Sequence, residues 1–319
     1  MSSETLTRAP GHPAPPKRRR KYLERSAGVR VVLQARDLEL FRAFLSFRVA
    51  TAATLFPLVA AHFGQPFVLW RRLNRLFHAG YLARPSAQEL RVFAKRGGPL
   101  HVYALGTKGA HELRAAGEQV SVTDFDAKAR GLTAQFLDHA LLTTHAVSVL
   151  LAALRARPAL RVHRVLPDGA FRTSVQVFDG REYVSRVIKP DSVLVVHEEE
   201  RAQTTAFMIE ADRGTMPPRR AALTQSSFLG KALAYFAYWQ ETDRFRAELG
   251  VDDFVVLTIT PTTERLEVLR DVARQVDPEQ RGTDIFWFTS ADALHLDHPT
   301  SSLTEAIWTT ASGSTGSLF

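Results

Sequence analysis

Three carboxylates stand where this chain could hold a divalent ion. Asp191 precedes the apolar run Val193–Val196, and Glu210 and Asp212 close the next apolar run, Ala206–Ile209. Read as adjacent strands, the two runs bring Asp191 beside Glu210. Residues two apart on a strand face the same side, so Glu210 and Asp212 converge. Oxygen ligands grouped in this way hold Mg²⁺, and metal-assisted phosphodiester hydrolysis uses such a group. The same spacing suits a strand end whose carboxylates pair with Arg213 or cap a loop. At this level two readings stand: a metal site on Asp191, Glu210 and Asp212, working or degenerate, and a plain strand end. Lys189, Arg213 and Lys231 are the cations that could serve such a site.

A second group suits DNA. Phe67–Leu82 reads as an amphipathic helix, with Leu69, Leu73, Leu76 and Phe77 at i, i+4, i+7 and i+8 forming one apolar stripe. Pro66 fits the first helical position and Gly80 the residue past the end. Arg71, Arg72, Asn74, Arg75 and His78 lie off the stripe. Arg pairs with guanine or phosphate and Asn with adenine, so this face can enter a major groove; the alternative is a solvated helix face. Further phosphate contacts are expected from Arg91, Lys95 and Arg96, and from the run Lys17, Arg18, Arg19, Arg20 and Lys21.

The elements that must position these groups follow from local patterns. Residues 1–30, Pro-rich and basic, predict a disordered arm. Residues 36–47 predict a helix with Leu38, Phe41, Phe44 and Leu45 inward. Thr51 caps a second helix, which Pro57 should end or kink. After the Arg-rich helix, Gln88–Lys95 and Leu100–Leu105 predict a hairpin around Gly97-Gly98, and Thr107 caps another helix. Helix, helix, Arg-rich helix, hairpin, helix is the order of a winged helix-turn-helix, which places the third helix in the major groove. The expected division is a basic arm at 1–30, a winged-helix DNA-binding domain at 31–117, a linker at 118–130, an α/β domain at 131–290 and a loose tail at 291–319. Within 131–290 a long helix (Leu132–Ala156) leads into strands at Arg161–Val165, Phe171–Phe178, Val184–Ile188, Val193–Val196 and Ala206–Ile209. Helix Phe228–Glu241, strand Phe254–Thr260, helix Glu264–Val276 and strand Ile285–Phe288 follow. This predicts a mixed sheet with an antiparallel start and parallel crossovers.

Charge agrees with the two-part division. Residues 1–125 hold 20 Lys+Arg and 8 Asp+Glu, a net of +12, while the remainder holds 21 and 25, a net of −4. A basic first third points to a polyanion. The absence of cysteine excludes disulfides, thiolate zinc sites, iron–sulfur clusters and a Cys nucleophile, and fits a reducing cytoplasm. No His-x-His pair, P-loop or Gly-x-Gly-x-x-Gly motif occurs, so two-histidine relaxase, P-loop ATPase and dinucleotide chemistry are not expected. No membrane association is expected.

Pro190-Asp191 with Glu210-Ala211-Asp212 resembles the PD-(D/E)xK nuclease core, except that Asp212 stands where that family carries its lysine. The chain as a whole resembles the replication-relaxation family of bacterial plasmids and mobile elements. Arg36–Leu40, Arg71–Leu76 with Ala79–Leu82, Val102–Ala110, Lys189-Pro190-Asp191 and Phe207–Thr215 carry the likeness, and Asp138-His139 matches an acid–His pair of the family. The resemblance implies DNA binding linked to replication or mobilisation, with no defined catalysis. Double-stranded DNA, replication or relaxase machinery and a second copy of the chain are the expected partners. A Mg²⁺-dependent endonuclease and a winged-helix transcriptional regulator are the alternatives.

Overall fold

The computed structural model describes residues 23–90, 101–121, 123–178, 180–220, 225–277, 279 and 283–319. The first helix, α1 (Ala35–Ala43), begins with a reciprocal cap in which Asp37 accepts from the Gln34 amide at 2.8 Å. Strand β1 (Ala50–Thr51) runs straight into α2 (Ala52–Phe63). Thr51 and Thr54 cap each other there: Thr51 Oγ1 accepts from the Thr54 amide at 3.2 Å and Thr54 Oγ1 from the Thr51 amide at 2.9 Å.

Pro57 does not end α2. Leu55, Val59 and Phe63, at i, i+4 and i+8, are buried on one stripe, and that packing carries the helix past the missing amide. Gly64, at φ +68°, stops it where an L side chain would be strained. Only Gly64 and Gln65 separate α2 from α3 (Pro66–His78), and the two helices bend by 103° across that break.

Three short strands pair beside these helices in the order β1-β3-β2, with β2 at Leu82–Ala83 and β3 at Val102–Leu105. Of the expected hairpin, residues 91–100 lie outside the described residues. Among the described residues, Leu82 pairs with Leu105 and Ala50 with Tyr103. Residues 86–90 form a 3₁₀ turn, and the Gln88 side chain accepts from the Val102 amide at 3.1 Å. Arg91, Lys95, Arg96 and the run Lys17, Arg18, Arg19, Arg20 and Lys21 lie outside the described residues.

Helix α4 (Thr107–Ala115) follows β3. The stretch expected as a linker contains α5 (Phe125–Arg130), capped by Asp124, whose Oδ1 accepts from the Ala127 amide at 3.0 Å. Helix α6 (Ala134–Arg155) then lies between the first helices and the main sheet. It has the length and apolarity of a membrane span, but 67% of that window is buried inside the fold. Thr144 on it donates to the Val49 carbonyl at 2.7 Å.

The remaining strands are β4 (Leu160–Pro167), β5 (Thr173–Phe178), β6 (Tyr183–Ile188), β7 (Ser192–Glu198), β8 (Gln203–Ala211), β9 (Asp253–Thr260), β10 (Phe286–Ser290), β11 (Trp308–Thr310) and β12 (Thr315–Gly316). Seven of them form one mixed sheet in the order β12-β11-β10-β9-β8-β7-β4. Pairs β8–β9 and β9–β10 are parallel, and the others are antiparallel. Strands β5 and β6 form a separate hairpin. Alternation divides the sheet between two cores. Leu194, Val196, Phe207, Ile209, Leu257 and Ile259 face α6 and, beyond it, α1–α3. Val193, Val195, Met208 and Val256 face α7 (Phe228–Gln240), α8 (Thr242–Leu249) and α9 (Thr263–Arg274).

Residues 291–319 are not a loose tail. Trp308 and Leu303 are fully buried, β11 extends the sheet from β10, and Phe319 meets Phe207 edge-on at 5.7 Å. Apolar residues spaced among Ser, Thr and Gly cover the end of the sheet.

Candidate nucleic-acid interface and carboxylate cleft

On α3 the sequence decides which side chains reach water. Leu69, Leu73, Leu76 and Phe77 are buried, as the stripe predicts. Arg72 is buried with them: its Nε donates to Asp37 Oδ1 at 2.7 Å, and its Nη2 contacts Asp37 Oδ2 and donates to the Val32 carbonyl at 2.9 Å. Arg72 is therefore a strut between α3 and α1, not a DNA contact. Asn74 is half-buried, and its Oδ1 accepts from Arg84 at 2.7 Å. His78 accepts from the Ser26 amide at 3.0 Å, and burial lowers its pKa. Arg71 and Arg75 remain exposed. The stripe also leaves out apolar side chains: Phe67 and Trp70 stand on the outward arc with Arg71 and Arg75, their rings stacked at 5.8 Å.

The three carboxylates come together, but each brings a base. Asp191 sits at the start of β7, where its Oδ1 bonds His139 Nε2 at 2.8 Å and its Oδ2 accepts from the Ala211 amide at 2.8 Å. Burial pushes this carboxyl up; the His139 bond and the Lys231 charge outweigh it and hold Asp191 below the usual range. The Asp191 bond raises His139 in turn. Glu210, at the end of β8, is almost fully buried. Its Oε1 accepts from the Tyr235 hydroxyl at 2.6 Å and its Oε2 meets Lys231 Nζ. Burial holds Glu210 above its ordinary pKa, while for Lys231 the cost of burial is outweighed by Glu210 and Asp191 and its pKa is raised. Asp212 pairs with Arg265 of α9 at 2.8 Å and accepts the Gly214 amide.

Of the three candidate cations, Lys231 is therefore the one that reaches the carboxylates. Lys189 pairs with Asp168 at 2.9 Å, and Arg213 lies 3.9 Å from Asp138. His139, Glu210, Asp212, Arg213 and Lys231 line a cavity of about 290 Å³ walled by Phe136, Met216 and Phe228. A divalent ion does not fit this donor set. The inward oxygens of Asp191, Glu210 and Asp212 are engaged by His139, Lys231, Tyr235 and Arg265. Among the described residues no group of three or more His, Asp or Glu side chains is arranged to hold a metal ion. Tyr235 and Arg265 were not legible as parts of this site, because nothing local marks a residue 25 or 53 positions from its partner.

The family model described as replication-relaxation matches residues 42–254. The chain belongs to the replication-relaxation family. Comparison with curated proteins and with solved structures finds no match. In this replication-relaxation protein the matched span includes α3, His139, Asp191, Glu210 and Lys231. Arg265 and the strands β10–β12 lie beyond it.

Proposed function

We propose that this replication-relaxation protein is a double-stranded DNA-binding factor in the replication or mobilisation of a plasmid or mobile element. Its first part is a winged helix-turn-helix, with α3 as the helix that enters the major groove. The observation that carries the reading is the order α1-β1-α2-α3-β2-β3 with sheet order β1-β3-β2, joined to an α3 that exposes Arg71 and Arg75. The 103° bend between α2 and α3 lies within the range of helix-turn-helix pairs. Arg71 and Arg75 bond guanine edges or phosphates there, and the +12 charge of residues 1–125 draws the duplex in.

The second part is a nuclease-like α/β body whose carboxylates are neutralised by His139, Lys231 and Arg265, so it supplies structure and not cleavage. DNA and the replication or relaxase machinery are the partners on this reading. The protein acts in the cytoplasm, with a second copy of the chain as a further partner.

Titrating a labelled duplex with wild type and with Arg71→Ala/Arg75→Ala tests the assignment. The double variant is expected to bind at least tenfold more weakly with unchanged thermal stability, since two charge-assisted contacts are lost. Equal affinity would remove α3 from the interface. Supercoiled plasmid incubated with the protein and Mg²⁺ or Mn²⁺ is expected to stay intact. Nicking abolished by Glu210→Gln would replace this reading with the endonuclease one.

A further inference from the structure

The first turn of α3 is apolar on its outward side. Phe67 is 60% exposed, Trp70 40% and Val68 38%, three of the few large hydrophobic side chains that the fold leaves in water. Phe67 and Trp70 stack at 5.8 Å with 20° between their planes, and the Arg71 guanidinium lies over the Phe67 ring at 5.7 Å. The cluster is thus held in place on the surface by its own contacts. The next turn of the same face carries Arg71 and Arg75, and α3 contains no Asp or Glu. Along its outward arc the helix therefore passes from apolar at its N-terminal end to cationic in the middle.

This gradient selects the occupant. A second copy of the chain laid on this face would set Arg71 and Arg75 against their own counterparts. A duplex meets both parts: phosphates suit the arginines, and the helix end that enters deepest meets the base edges. In the major groove the only apolar group displayed by unmodified bases is the 5-methyl of thymine. We infer that the stacked pair Phe67 and Trp70 reads thymine methyl groups, so that the preferred site carries thymine where the first turn of α3 meets the groove. The inference rests on α3 being the groove-entering helix and goes further, naming the base and the side chains that choose it.

The test starts from duplexes enriched by the wild-type protein from a random pool. The best of them is then synthesised twice, with thymine and with uracil throughout, which removes the methyl groups and leaves every hydrogen-bonding edge unchanged. Wild type is expected to bind the uracil duplex about fourfold more weakly for each methyl it contacts. Phe67→Ser/Trp70→Ser, at exposed positions, is expected to bind the two duplexes equally and to unfold at the wild-type temperature. Equal wild-type affinity for the two duplexes overturns the inference even if Arg71→Ala/Arg75→Ala binds weakly, because α3 then enters the groove without reading methyls. A uracil penalty that survives in Phe67→Ser/Trp70→Ser overturns it as well. Wild-type-like binding by Arg71→Ala/Arg75→Ala overturns instead the placement of α3 on which it rests.

Discussion

Arg72 shows how one side chain changes role between sequence and structure. Its charge and its place off the leucine stripe put it with Arg71 and Arg75, yet it lies one step nearer the buried arc and meets Asp37. That partner is 35 residues upstream in another helix, and no local pattern joins the two. Arg72→Ala leaves the Asp37 carboxylate buried without its cation, and urea denaturation is expected to show a loss of about 3–5 kcal/mol. A loss below about 1 kcal/mol would mean that the pair is not structural. The His139–Asp191 pair makes a second prediction, on pH. His139, raised by its bond to Asp191, contributes stability fully below its ordinary pKa of about 6.5 and loses it as pH rises through the folded value. Asp191, lowered, contributes fully above about 3.9 and loses it as pH falls through its folded value. The stability gap between wild type and His139→Gln is therefore expected to peak near pH 5, at about 1–3 kcal/mol, and to shrink towards pH 9. A gap that grows with pH would show that His139 is held neutral.

At the scale of elements, amphipathic helices were the most legible features. α3 follows the stripe of its sequence, α6 matches the expected long helix, and the strands Val193–Val196 and Ala206–Ile209 lie at the centre of β7 and β8. Pairing was less legible. Among the described residues β3 pairs with the two-residue strands β1 and β2, each too short to carry a period, and Gln88 meets Val102 through its side chain. Close approach fixes α4 against the turn after α3: a Cβ on Gly109 would lie 2.5 Å from the Tyr81 carbonyl oxygen and 3.0 Å from Leu105. Gly109→Ala is expected to cost about 1–3 kcal/mol in thermal or urea unfolding by forcing the two apart. A neutral result would mean that the backbone shifts at no cost.

At the scale of the molecule, the charge split and the element order divide the sequence into two regions, whereas the apolar packing that joins them was not visible. α6 lies against both parts: its residues share one core with Leu55 and Leu73 on one side and Leu194 and Phe207 on the other. The C-terminal strands close the sheet although their Ser- and Thr-rich composition resembles a tail. Trp308→Ala is expected to destabilise the whole protein by about 3–5 kcal/mol in a single transition, while an unchanged midpoint would return residues 291–319 to the status of a loose end. In the site, the carboxylates were legible from their strands. Their neutralisation was not, because His139, Lys231 and Arg265 arrive from three separate helices. On the proposed reading, the exposed arginines of α3 position the protein on DNA. The salt dependence of duplex binding tests this most directly. The slope of log affinity against log salt is expected to be steep for wild type and to fall by about 2 in Arg71→Ala/Arg75→Ala, since each phosphate contact contributes about 0.9. A wild-type slope near zero, or the same slope in both proteins, would contradict the account.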